Sequence, residues 1–580
     1  MKTSARSKPS QSAPASSPDH GGGAAGLISG HFIANSIRAD APTFGKNRER
    51  MNELIAVIRK DADKIREMGG AGNVAKQHKK QRLTVRERLA KLLDPGAEFF
   101  ELSLFAAFGM YQEWGGAPAA GVVTGVGRIH GRDVLVIAND ATVKAGAFFP
   151  MTAKKVIRAQ TIAMENRLPT VYLVDSAGVF LPLQEDVFPD QDDFGRIFRN
   201  NAVMSAMGLP QITAIMGPCV AGGAYLPVMC DHTLMTEGSG LYLAGPALVR
   251  AAIGQQISGE ELGGARMHSE VSGTADFREP DDAACIARVR SLVSRFGHRP
   301  AGPFSRVESR EPAYAPSEIP GIFTAQPGGE YDVRQIIARI IDAAEFDEYK
   351  ADFGMTLVCG YARIGGFAVG IVANQKQHIR REGKPMEFGG VIFHEAADKA
   401  ARFMMTCNQN VVPLIFLHDV NGFMVGRDSE QAGIIRAGAK MVNVIANSVV
   451  PKISVILGGS FGAGNYAMCG KAYDPRLLLA WPTCKYAVMG GDQAAKTLLE
   501  LRVSAMEAKG KPLSDGEKAE QLKEIKTIYD EQTDVRHAAS RLWIDRIIEP
   551  AATREELIRS LEIVSNNPDV PAFKTGVLQV

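Results

Sequence analysis

The chain lacks the features that would place it in a membrane, on nucleic acid or in a disulfide-stabilised scaffold. No stretch of it approaches the roughly 18 uninterrupted apolar residues that a membrane-spanning helix needs. Its seven cysteines are odd in number and none forms a C-x-x-C pair, which argues against a zinc site and a disulfide framework. A formal net charge of +2 gives no reason to expect nucleic-acid binding. We therefore predict no membrane, no nucleic acid and no metal among its partners.

The composition is that of a packed protein of the cytoplasmic type. Hydrophobic residues make up 45% of its 580 residues and charged residues 22%, and this length allows two or three domains. The first residues are rich in Ser, Ala, Pro and Gly, so we predict a disordered tail over residues 1–44. Three basic residues precede the first acidic residue, as in an organellar transit segment, so the mitochondrial matrix is the alternative compartment; they are Lys2, Arg6 and Lys8.

Two glycine-rich turns of the chain are near-copies of each other. Residues Ile215–Tyr225 (IMGPCVAGGAY) recur as Ile456–Tyr466 (ILGGSFGAGNY), 241 residues later. Two further anchors match upstream in the same order: Gly125–Asn139 with Gly360–Asn374, and Leu168–Gly178 with Val412–Gly422. The spacing rises from 235 residues at the first anchor to 244 at the second, so the second copy gains nine residues there. Anchors that persist while spacers vary indicate two equivalent folding units.

The pattern of apolar residues predicts an α/β fold. Each half has continuous apolar runs typical of strands buried on both faces, with helical patterns between them; the runs are Thr170–Val174, Gln211–Met216, Leu414–Leu417 and Lys452–Leu457. Five prolines between Pro300 and Pro320 indicate an extended connector. We therefore predict a first domain over residues 45–305, a linker over 306–330 and a second domain over 331–575.

Local signals mark several element boundaries. A helical pattern runs from Met51 to Met68, and a hairpin is expected to turn near His130. Capping-box patterns begin at Thr84 and at Ser514, and each predicts the start of a charged helix.

The paired turns suit the binding of an oxygen that becomes negative. In each copy a buried strand runs into small residues, and a helix-like continuation follows. Small residues let a ligand approach the main chain, and a helix start offers unpaired N–H donors and a favourable dipole. Such donors would stabilise a thioester enolate or bind a urea oxygen. Tight strand–helix packing also selects small residues, so glycines alone do not identify a substrate.

Two other patterns suggest different chemistry. Gly458–Gly462 fits the G-x-S-x-G nucleophile pattern around Ser460, and a serine hydrolase is kept as an alternative. Such an enzyme also needs a later histidine, and His537 is the only one downstream. Gly125-x-Gly127 falls in a predicted hairpin and not before a helix, which disfavours a dinucleotide site.

A set of long motifs in order resembles the carboxyltransferase (β) subunits of biotin-dependent acyl-CoA carboxylases. The motifs are Ala119–Arg128, Ala138–Lys144, Gln184–Pro189, Phe194–Phe198, Glu261–Gly264, Asn421–Arg427, Gly438–Met441, Gly459–Tyr466 and Val488–Gly491. The methylcrotonoyl-CoA carboxylase β branch is the most similar. The resemblance implies two tandem crotonase-like (ClpP/crotonase superfamily) domains from an internal duplication. It also implies transfer of CO₂ from carboxybiotin to the enolate of a short or branched acyl- or enoyl-CoA, with 3-methylcrotonoyl-CoA favoured.

The resemblance assigns roles to individual residues. The first half is expected to hold acyl-CoA, with the enolate oxygen on the amides of Gly222 and Gly223. The second is expected to hold carboxybiotin, with its carbonyl on the amides of Ala463 and Gly464. These four positions are the ones that the 241-residue spacing pairs. The residues expected to contact acyl-CoA are Ser176, Ala177, Gly178 and Ala221. Those expected to contact biotin are Gly422, Phe423 and Tyr466. The position of Tyr466 also tunes the choice of acyl group in the family.

The resemblance further implies partners and a mechanism. No Ala-Met-Lys-Met-type biotinylation site and no ATP-binding loop is present, so biotin is expected in trans on a biotin carboxylase/biotin carboxyl carrier subunit. The family forms a homohexameric core with active sites at the dimer interface. Biotin takes the substrate proton after giving up CO₂, so no side-chain base is required.

Departures from the family pattern leave alternatives open. Residues Gln375–Gly390, hereafter the inserted segment, are longer than usual and lie where the family contacts acyl-CoA. The segment contains Phe388 and three basic residues, Arg380, Arg381 and Lys384. These basic residues would contact a phosphate or form a solvated loop. Ser176-Ala177-Gly178 replaces a more usual Ser-Gly-Gly, and His268 is interpreted as a hydrogen-bonded structural residue. The functional alternatives are another acyl-CoA (propionyl- or geranyl-CoA), a biotin-dependent acyl-CoA decarboxylase subunit and a non-catalytic scaffold.

Overall fold

The computed structural model describes residues 31–297, 300–326, 328–383 and 385–580. The helices of the first half are α1 (Pro42–Arg66), α2 (Ala71–Lys79), α3 (Val85–Leu92), α4 (Pro150–Glu165), α5 (Phe194–Ala206), α6 (Tyr225–Val228), α7 (Pro246–Ile253), α8 (Gly259–Gly263), α9 (Ala265–Glu270) and α10 (Asp282–Val293). Its strands are β1 (Phe100–Leu102), β2 (Val122–Ile129), β3 (Arg132–Asn139), β4 (Thr170–Ser176), β5 (Gln211–Val220), β6 (His232–Thr236), β7 (Gly240–Tyr242) and β8 (Phe277–Glu279).

The second half continues the alternation of helices and strands. Its helices are α11 (Ile319–Ile322), α12 (Val333–Ile337), α13 (His394–Gln409), α14 (Arg427–Gln431), α15 (Ile434–Ala446), α16 (Gly462–Ala467), α17 (Gly491–Ala508), α18 (Asp515–Thr533), α19 (Val535–Ser540) and α20 (Thr553–Val564). Its strands are β9 (Asp347–Glu348), β10 (Leu357–Ile364), β11 (Phe367–Asn374), β12 (Val391–Ile392), β13 (Leu414–Val420), β14 (Gly422–Phe423), β15 (Lys452–Phe461), β16 (Leu477–Ala480), β17 (Lys485–Ala487) and β18 (Arg546–Ile547).

The two large sheets have the same strand order. The first runs β1-β2-β3-β4-β5-β6-β8, with β7 also paired to β5, and the second runs β9-β10-β11-β13-β15-β16-β18, with β17 paired to β15. In each sheet the three strands at one edge are antiparallel and the following strands are parallel. The predicted α/β class is thus confirmed as a mixed fold with two sheets.

Parallel pairing determines where functional groups gather. The central strands β4 and β5, like β13 and β15, are buried and paired in parallel, so their carboxyl ends meet at one edge of each sheet. Both glycine-rich turns lie at this edge. Loops there are where open α/β sheets bind ligands.

The sequence comparison missed one matching pair of segments. Val85–Asp94 (VRERLAKLLD) and Val333–Asp342 (VRQIIARIID) are 248 residues apart and occupy the same place in each half. Asp94 accepts hydrogen bonds from the amides of His130 and Gly131 in the β2–β3 turn, at 2.9 and 2.7 Å. Asp342 accepts them likewise from the amides of the β10–β11 turn, at 2.9 and 2.8 Å. Each aspartate therefore fastens a hairpin in its own half.

Local signals agree with the structure in most places. The capping box predicted at Thr84 is present. The Glu87 amide donates to Thr84 Oγ1 at 3.3 Å, and the Thr84 amide donates to Glu87 Oε2 at 2.7 Å. Ser514 caps α18 in the same way. Helix α1 begins earlier than the predicted start at Met51, because Pro42 is favourable at a first helical position and the added turns pack Phe44 in the core.

The predicted tail and linker both contain packed residues. Within residues 31–44, the Ile33 amide donates to the Ala344 carbonyl at 3.0 Å, and helix α1 begins at Pro42. Residues 1–30, which include the candidate targeting residues, lie outside the described ranges. Within the predicted linker, residues 306–330, Arg306 forms an antiparallel β-bridge with Phe367, and Ile319 in α11 is fully buried. One hydrophobic cluster contains residues from both sheets, so the halves share a core. Across the described residues, no helix has the length and apolar character needed to cross a bilayer.

Candidate active site

The first glycine turn joins strand β5 to helix α6 through a short 3₁₀ turn. Residues Ala221–Ala224 form this turn, and Ala221 has a left-handed φ of +58°. A 3₁₀ helix bonds each N–H to a carbonyl three residues earlier. For the Gly222 and Gly223 amides these carbonyls are those of Cys219 and Val220, which end strand β5 ahead of the turn. A Cβ on Gly223 would meet only Phe194, at 3.8 Å, so the backbone there is open to close approach.

The second glycine turn joins strand β15 directly to helix α16. Gly462 is the first helical residue, with φ of +52°, and Ala463 and Gly464 follow in the first turn. The first N–H groups of an α-helix have no partner within it, and they point toward the end where the dipole favours negative charge. A Cβ on Gly464 would lie 2.6 Å from Val420 Cγ2, so this position needs glycine for packing as well.

The predicted acyl-CoA residues lie beside the first turn. The Ser176 hydroxyl donates to the Gly146 carbonyl at 2.7 Å and accepts from the Gly178 amide at 3.1 Å. Gly178 has φ of +86°, and a Cβ there would be 3.2 Å from the Val220 carbonyl oxygen. The amide of Ala177 already donates to the Ala145 carbonyl at 3.0 Å. The structure thus brings these residues and the turn together.

A small cavity opens between these segments. Its volume is about 20 Å³, and Ser176, Cys219 and Gly223 contribute to its wall. The remaining wall is mostly apolar, with Phe148, Val174, Phe194 and Leu226 among its residues. The cavity is polar only where Asn139, Ser176 and the turn line it.

The predicted biotin residues lie beside the second turn. Gly422 and Phe423 form strand β14, and the Gly422 Cα is 3.1 Å from the place that a Cβ on Gly464 would occupy. The Tyr466 side chain is about half exposed, with its ring centroid 5.7 Å from that of Tyr473. Both turns therefore have the expected neighbours within their own half.

Comparison with known proteins identifies the family. The family model described as a carboxyl transferase domain matches residues 76–578. The chain belongs to this family. It is 42% identical to the mitochondrial methylcrotonoyl-CoA carboxylase beta chain of Dictyostelium discoideum over 95% of this chain and 91% of that one. It is 43% identical to the biotin-dependent 3-methylcrotonyl-coenzyme A carboxylase beta1 subunit of Mycobacterium tuberculosis, over 91% of this chain and 97% of that one.

A solved structure agrees with the sequence relatives. The beta subunit of geranyl-CoA carboxylase from P. aeruginosa superposes with a TM-score of 0.82 at 36% identity, covering 95% of this chain and 99% of that one. The predicted membership of the biotin-dependent acyl-CoA carboxylase carboxyltransferases is confirmed, and the chain is an enzyme.

Beneath the second turn of this carboxyl transferase lies a buried polar cluster that the sequence did not reveal. His418 Nδ1 is 3.1 Å from Ser460 Oγ, and Ser460 Oγ accepts from Asn465 Nδ2 at 2.8 Å. Burial lowers the pKa of His418 to about 3, so its imidazole is neutral. At the matching positions the first half has Val174, Cys219 and Ala224. The second half therefore has polar side chains at positions whose counterparts include Val174 and Cys219, two residues that line the cavity of the first half.

The same cluster argues against a serine hydrolase. Ser460 is fully buried at the end of strand β15, where a substrate cannot reach its hydroxyl. His537 packs against Trp543 with ring centroids 5.9 Å apart, and its own element is the helix α19. The G-x-S-x-G pattern around Ser460 therefore reflects packing of small residues.

Two buried carboxylates support the two turns from below. Asp175 accepts hydrogen bonds from Arg88 Nη2 at 3.1 Å and from Gln77 Nε2 at 2.9 Å. Asp419 accepts one from Lys376 Nζ at 2.9 Å. A Cβ on Gly217 would lie 1.9 Å from Asp175 Oδ1, so the strand leading to the first turn touches its carboxylate directly. Sequence reasoning singled out neither Arg88 nor Lys376.

Other predicted residues have structural partners. His268 Nε2 lies 2.8 Å from the Leu241 carbonyl oxygen and its Nδ1 lies 2.8 Å from Ser272 Oγ, in agreement with a hydrogen-bonded structural histidine. In the inserted segment, Arg381 pairs with Glu387, and Phe388 is 43% exposed. Lys384 lies outside the described residues.

Proposed function

We propose that this carboxyl transferase moves a carboxyl group from carboxybiotin to the enolate of 3-methylcrotonoyl-CoA. The observation that carries the proposal is the pair of glycine turns at matching edges of two sheets with the same strand order. Two anions at different stages of one reaction need two separate sets of donors, and the chain has one set in each half. The relatives at 42% and 43% identity, named as methylcrotonoyl-CoA carboxylase subunits, support the choice of substrate.

Each half is assigned one reactant. Carboxybiotin, when bound, supplies the CO₂ and the nitrogen that takes the substrate proton. The amides of Gly222 and Gly223 stabilise the enolate oxygen, and those of Ala463 and Gly464 bind the biotin carbonyl. Ser176, Ala177, Gly178 and Ala221 contact acyl-CoA, and Gly422, Phe423 and Tyr466 contact biotin. Deprotonation of the enoyl thioester at its γ carbon leaves the charge on the same thioester oxygen.

The side chains near the turns are consistent with this division of labour. Asp175 and Asp419 are paired with cations, and His418 is neutral and buried. None of these three is placed to take a proton from a ligand above the turns. The protein then contributes orientation and charge stabilisation.

We infer further that the halves are tandem crotonase-like domains from an internal duplication. The common strand order, the paired turns and the matching aspartates at the hairpins support this. The acyl-CoA side is residues 45–305 and the biotin side residues 331–575, with residues 306–330 as the connection.

The active form is proposed to be a homohexamer whose sites lie between two copies. The cavity of about 20 Å³ at the first turn is too small to enclose an acyl group, and we propose that a second copy completes the site. Large apolar side chains remain exposed on both halves, which marks a protein contact; they are Leu181, Phe188, Tyr225, Leu243 and Ile253 in the first half and Val425, Ile435, Val488 and Leu501 in the second. A biotin carboxylase/biotin carboxyl carrier subunit delivers the biotin. We place the protein in the cytoplasm, with the mitochondrial matrix as the alternative that the name of the Dictyostelium relative supports.

Product analysis across a panel of acyl-CoAs tests the function. Carboxybiotin is supplied in trans, and the highest kcat/KM is expected with 3-methylcrotonoyl-CoA. Geranyl-CoA is the second candidate, because the solved geranyl-CoA carboxylase subunit matches over 95% of this chain. Release of free CoA without a carboxylated thioester would favour the hydrolase, and no product from any thioester would favour a scaffold.

A further inference from the structure

The inserted segment is the main difference in length between the two halves near the sites. Strand β3 ends at Asn139 and helix α4 begins at Pro150, whereas β11 ends at Asn374 and α13 begins at His394. The spacing between the halves therefore changes from 235 to 244 residues within this one connection. The contacts of the inserted segment therefore indicate its role.

The described charges of the segment are directed mostly at the protein itself. Arg381 pairs with Glu387 within the segment and lies 3.7 Å from Glu395 on α13. Ile379 and Glu387 exchange backbone hydrogen bonds of 2.9 and 3.0 Å, so the middle of the segment is a small hairpin. Arg380 is exposed. The Arg381 guanidinium is therefore occupied by carboxylates of the protein and is not free to bind a phosphate.

Lys376, the second residue of the segment, forms a nearly buried ion pair below the second glycine turn. Its Nζ is 2.9 Å from Asp419 Oδ1, and the two side chains are 16% and 5% exposed. The same oxygen accepts the Gly459 amide at 2.9 Å, and Oδ2 accepts the Tyr331 hydroxyl at 2.9 Å. Gly459 lies on β15, four residues before Ala463. The ion pair therefore orients the strand that presents the second turn.

The backbone of the segment holds the other side of the same site. The Gly390 carbonyl accepts the Asn421 amide at 2.7 Å, and strand β12 pairs in parallel with β14. Val420, just before, is the residue that the first turn of α16 packs against at Gly464. Lys376 and Gly390 thus fix residues 419–423 from one side, and these residues fix the glycine turn.

The first half supports its turn differently. Pro218 stands where the second half has Gly459, so no amide is available there to donate to the matching Asp175. Arg88 bridges Asp175 Oδ2 and the Met216 carbonyl oxygen, at 3.1 and 3.2 Å. The cation comes from helix α3 in the first half and from the inserted segment in the second. Each turn therefore has its own cation–carboxylate support.

We propose that Lys376 is a positioning residue for the biotin-side amides, and that the inserted segment is a brace for this turn and not a CoA-binding loop. The Lys376–Asp419 pair sets the Gly459 amide, and through β15 it sets the orientation of the Ala463 and Gly464 amides. The inference rests on the proposed function, because it assigns these amides to biotin.

The test is carboxyl transfer in reverse, from carboxylated 3-methylcrotonoyl-CoA to free biotin, with the full-length protein. Lys376→Met is expected to lower kcat or raise the KM for biotin, for a loss of about 10- to 100-fold in kcat/KM for biotin, because small misplacements of donors have effects of this size. The KM for the CoA thioester should change by less than about 2-fold. Lys376→Arg, which keeps the charge, should restore most of the activity.

Arg380→Met is the matched control, since it removes a cation from the same segment without touching Asp419. A raised KM for the CoA thioester in either Met variant would overturn the proposal and make the segment a CoA site, and unchanged kinetics in Lys376→Met would overturn it as well. If Lys376→Met does not fold, Lys376→Gln replaces it, because its shorter, uncharged side chain cannot reproduce the ion pair with Asp419, and the same outcomes apply. A wild-type protein without transfer to biotin from any carboxylated thioester would instead refute the proposed function.

Discussion

Arg88 and Asp175 form a buried ion pair beneath the first glycine turn, although they are 87 residues apart in the chain. Their side chains are 1% and 2% exposed. The same guanidinium donates through Nε to Asp282 Oδ2 at 2.8 Å, so one cation serves two buried carboxylates. It thereby connects helix α3, the end of strand β4, strand β5 and helix α10.

Replacing this arginine should therefore destabilise the protein strongly. Arg88→Met leaves Asp175 and Asp282 buried without their cation, and breaking a buried ion pair from one side typically costs about 3–5 kcal/mol. Urea denaturation at one fixed protein concentration measures the change in the free energy of unfolding. Arg59→Met is the control, because Arg59 and Glu549 form an exposed pair worth at most about 1 kcal/mol. Equal losses in the two variants would contradict the assignment of Arg88 as a buried support.

Alanine should act differently at two of the site glycines. A Cβ on Gly464 would lie 2.6 Å from Val420, whereas a Cβ on Gly223 would meet only Phe194 at 3.8 Å. We expect Gly464→Ala to lower the rate of carboxyl transfer roughly 100-fold, because helix α16 must shift, and we expect a loss at least about tenfold smaller for Gly223→Ala. Initial rates with free biotin, together with melting temperatures, measure both effects. The opposite order would show that space below the turn does not limit the site.

The repeated parts of the fold could be predicted from the sequence, and the long-range pairs could not. The glycine turns stand out because the same small residues recur at a fixed spacing, and buried parallel strands appear as apolar runs. Val85–Asp94 and Val333–Asp342 also recur, but the first lies in a short basic helix whose match is visible only when both halves are aligned that far upstream. The predicted repeat began at Gly125, downstream of this pair of segments.

The electrostatic supports carry no such local signal. Arg88 is one of 66 basic residues in the chain, and nothing near it in sequence indicates Asp175 or Asp282 as partners. Lys376 likewise meets Asp419 across 43 residues, because the inserted segment folds back under the second turn. The buried His418 was missed for the same reason, since its partner Ser460 lies on the neighbouring strand.

The cysteines should be unreactive in the native protein. The thiolate is the reactive form, and burial raises the pKa of Cys219, which lies at the first turn, to about 12 and that of Cys469 to about 11. Burial also raises the pKa of Cys230, the one cysteine that is not fully buried. Titration with a chromogenic disulfide at pH 8 is expected to find less than one fast-reacting thiol in the native state and seven after denaturation. Fast modification of a single native thiol, located by mass spectrometry, would contradict this prediction.

The buried histidine predicts a specific dependence of stability on pH. The pKa of His418 falls from 6.5 to about 3 on folding because burial disfavours the charged imidazole. Above pH 6.5 the histidine is neutral in both states and imposes no penalty. As the pH falls from 6.5 toward 3, the unfolded chain takes up a proton that the folded chain refuses, and stability is lost at about 1.4 kcal/mol per pH unit. His418→Val, which introduces the residue of the first half, should lose about 2–3 kcal/mol less of its free energy of unfolding than the wild type between pH 6.5 and 4.5.

Ser460→Ala is the matched control, because it removes the hydrogen bond to the imidazole but keeps the buried histidine. Its free energy of unfolding should be lower at every pH, while the slope with pH stays that of the wild type. Equal slopes for the wild type and His418→Val would mean that His418 is protonated in the folded protein.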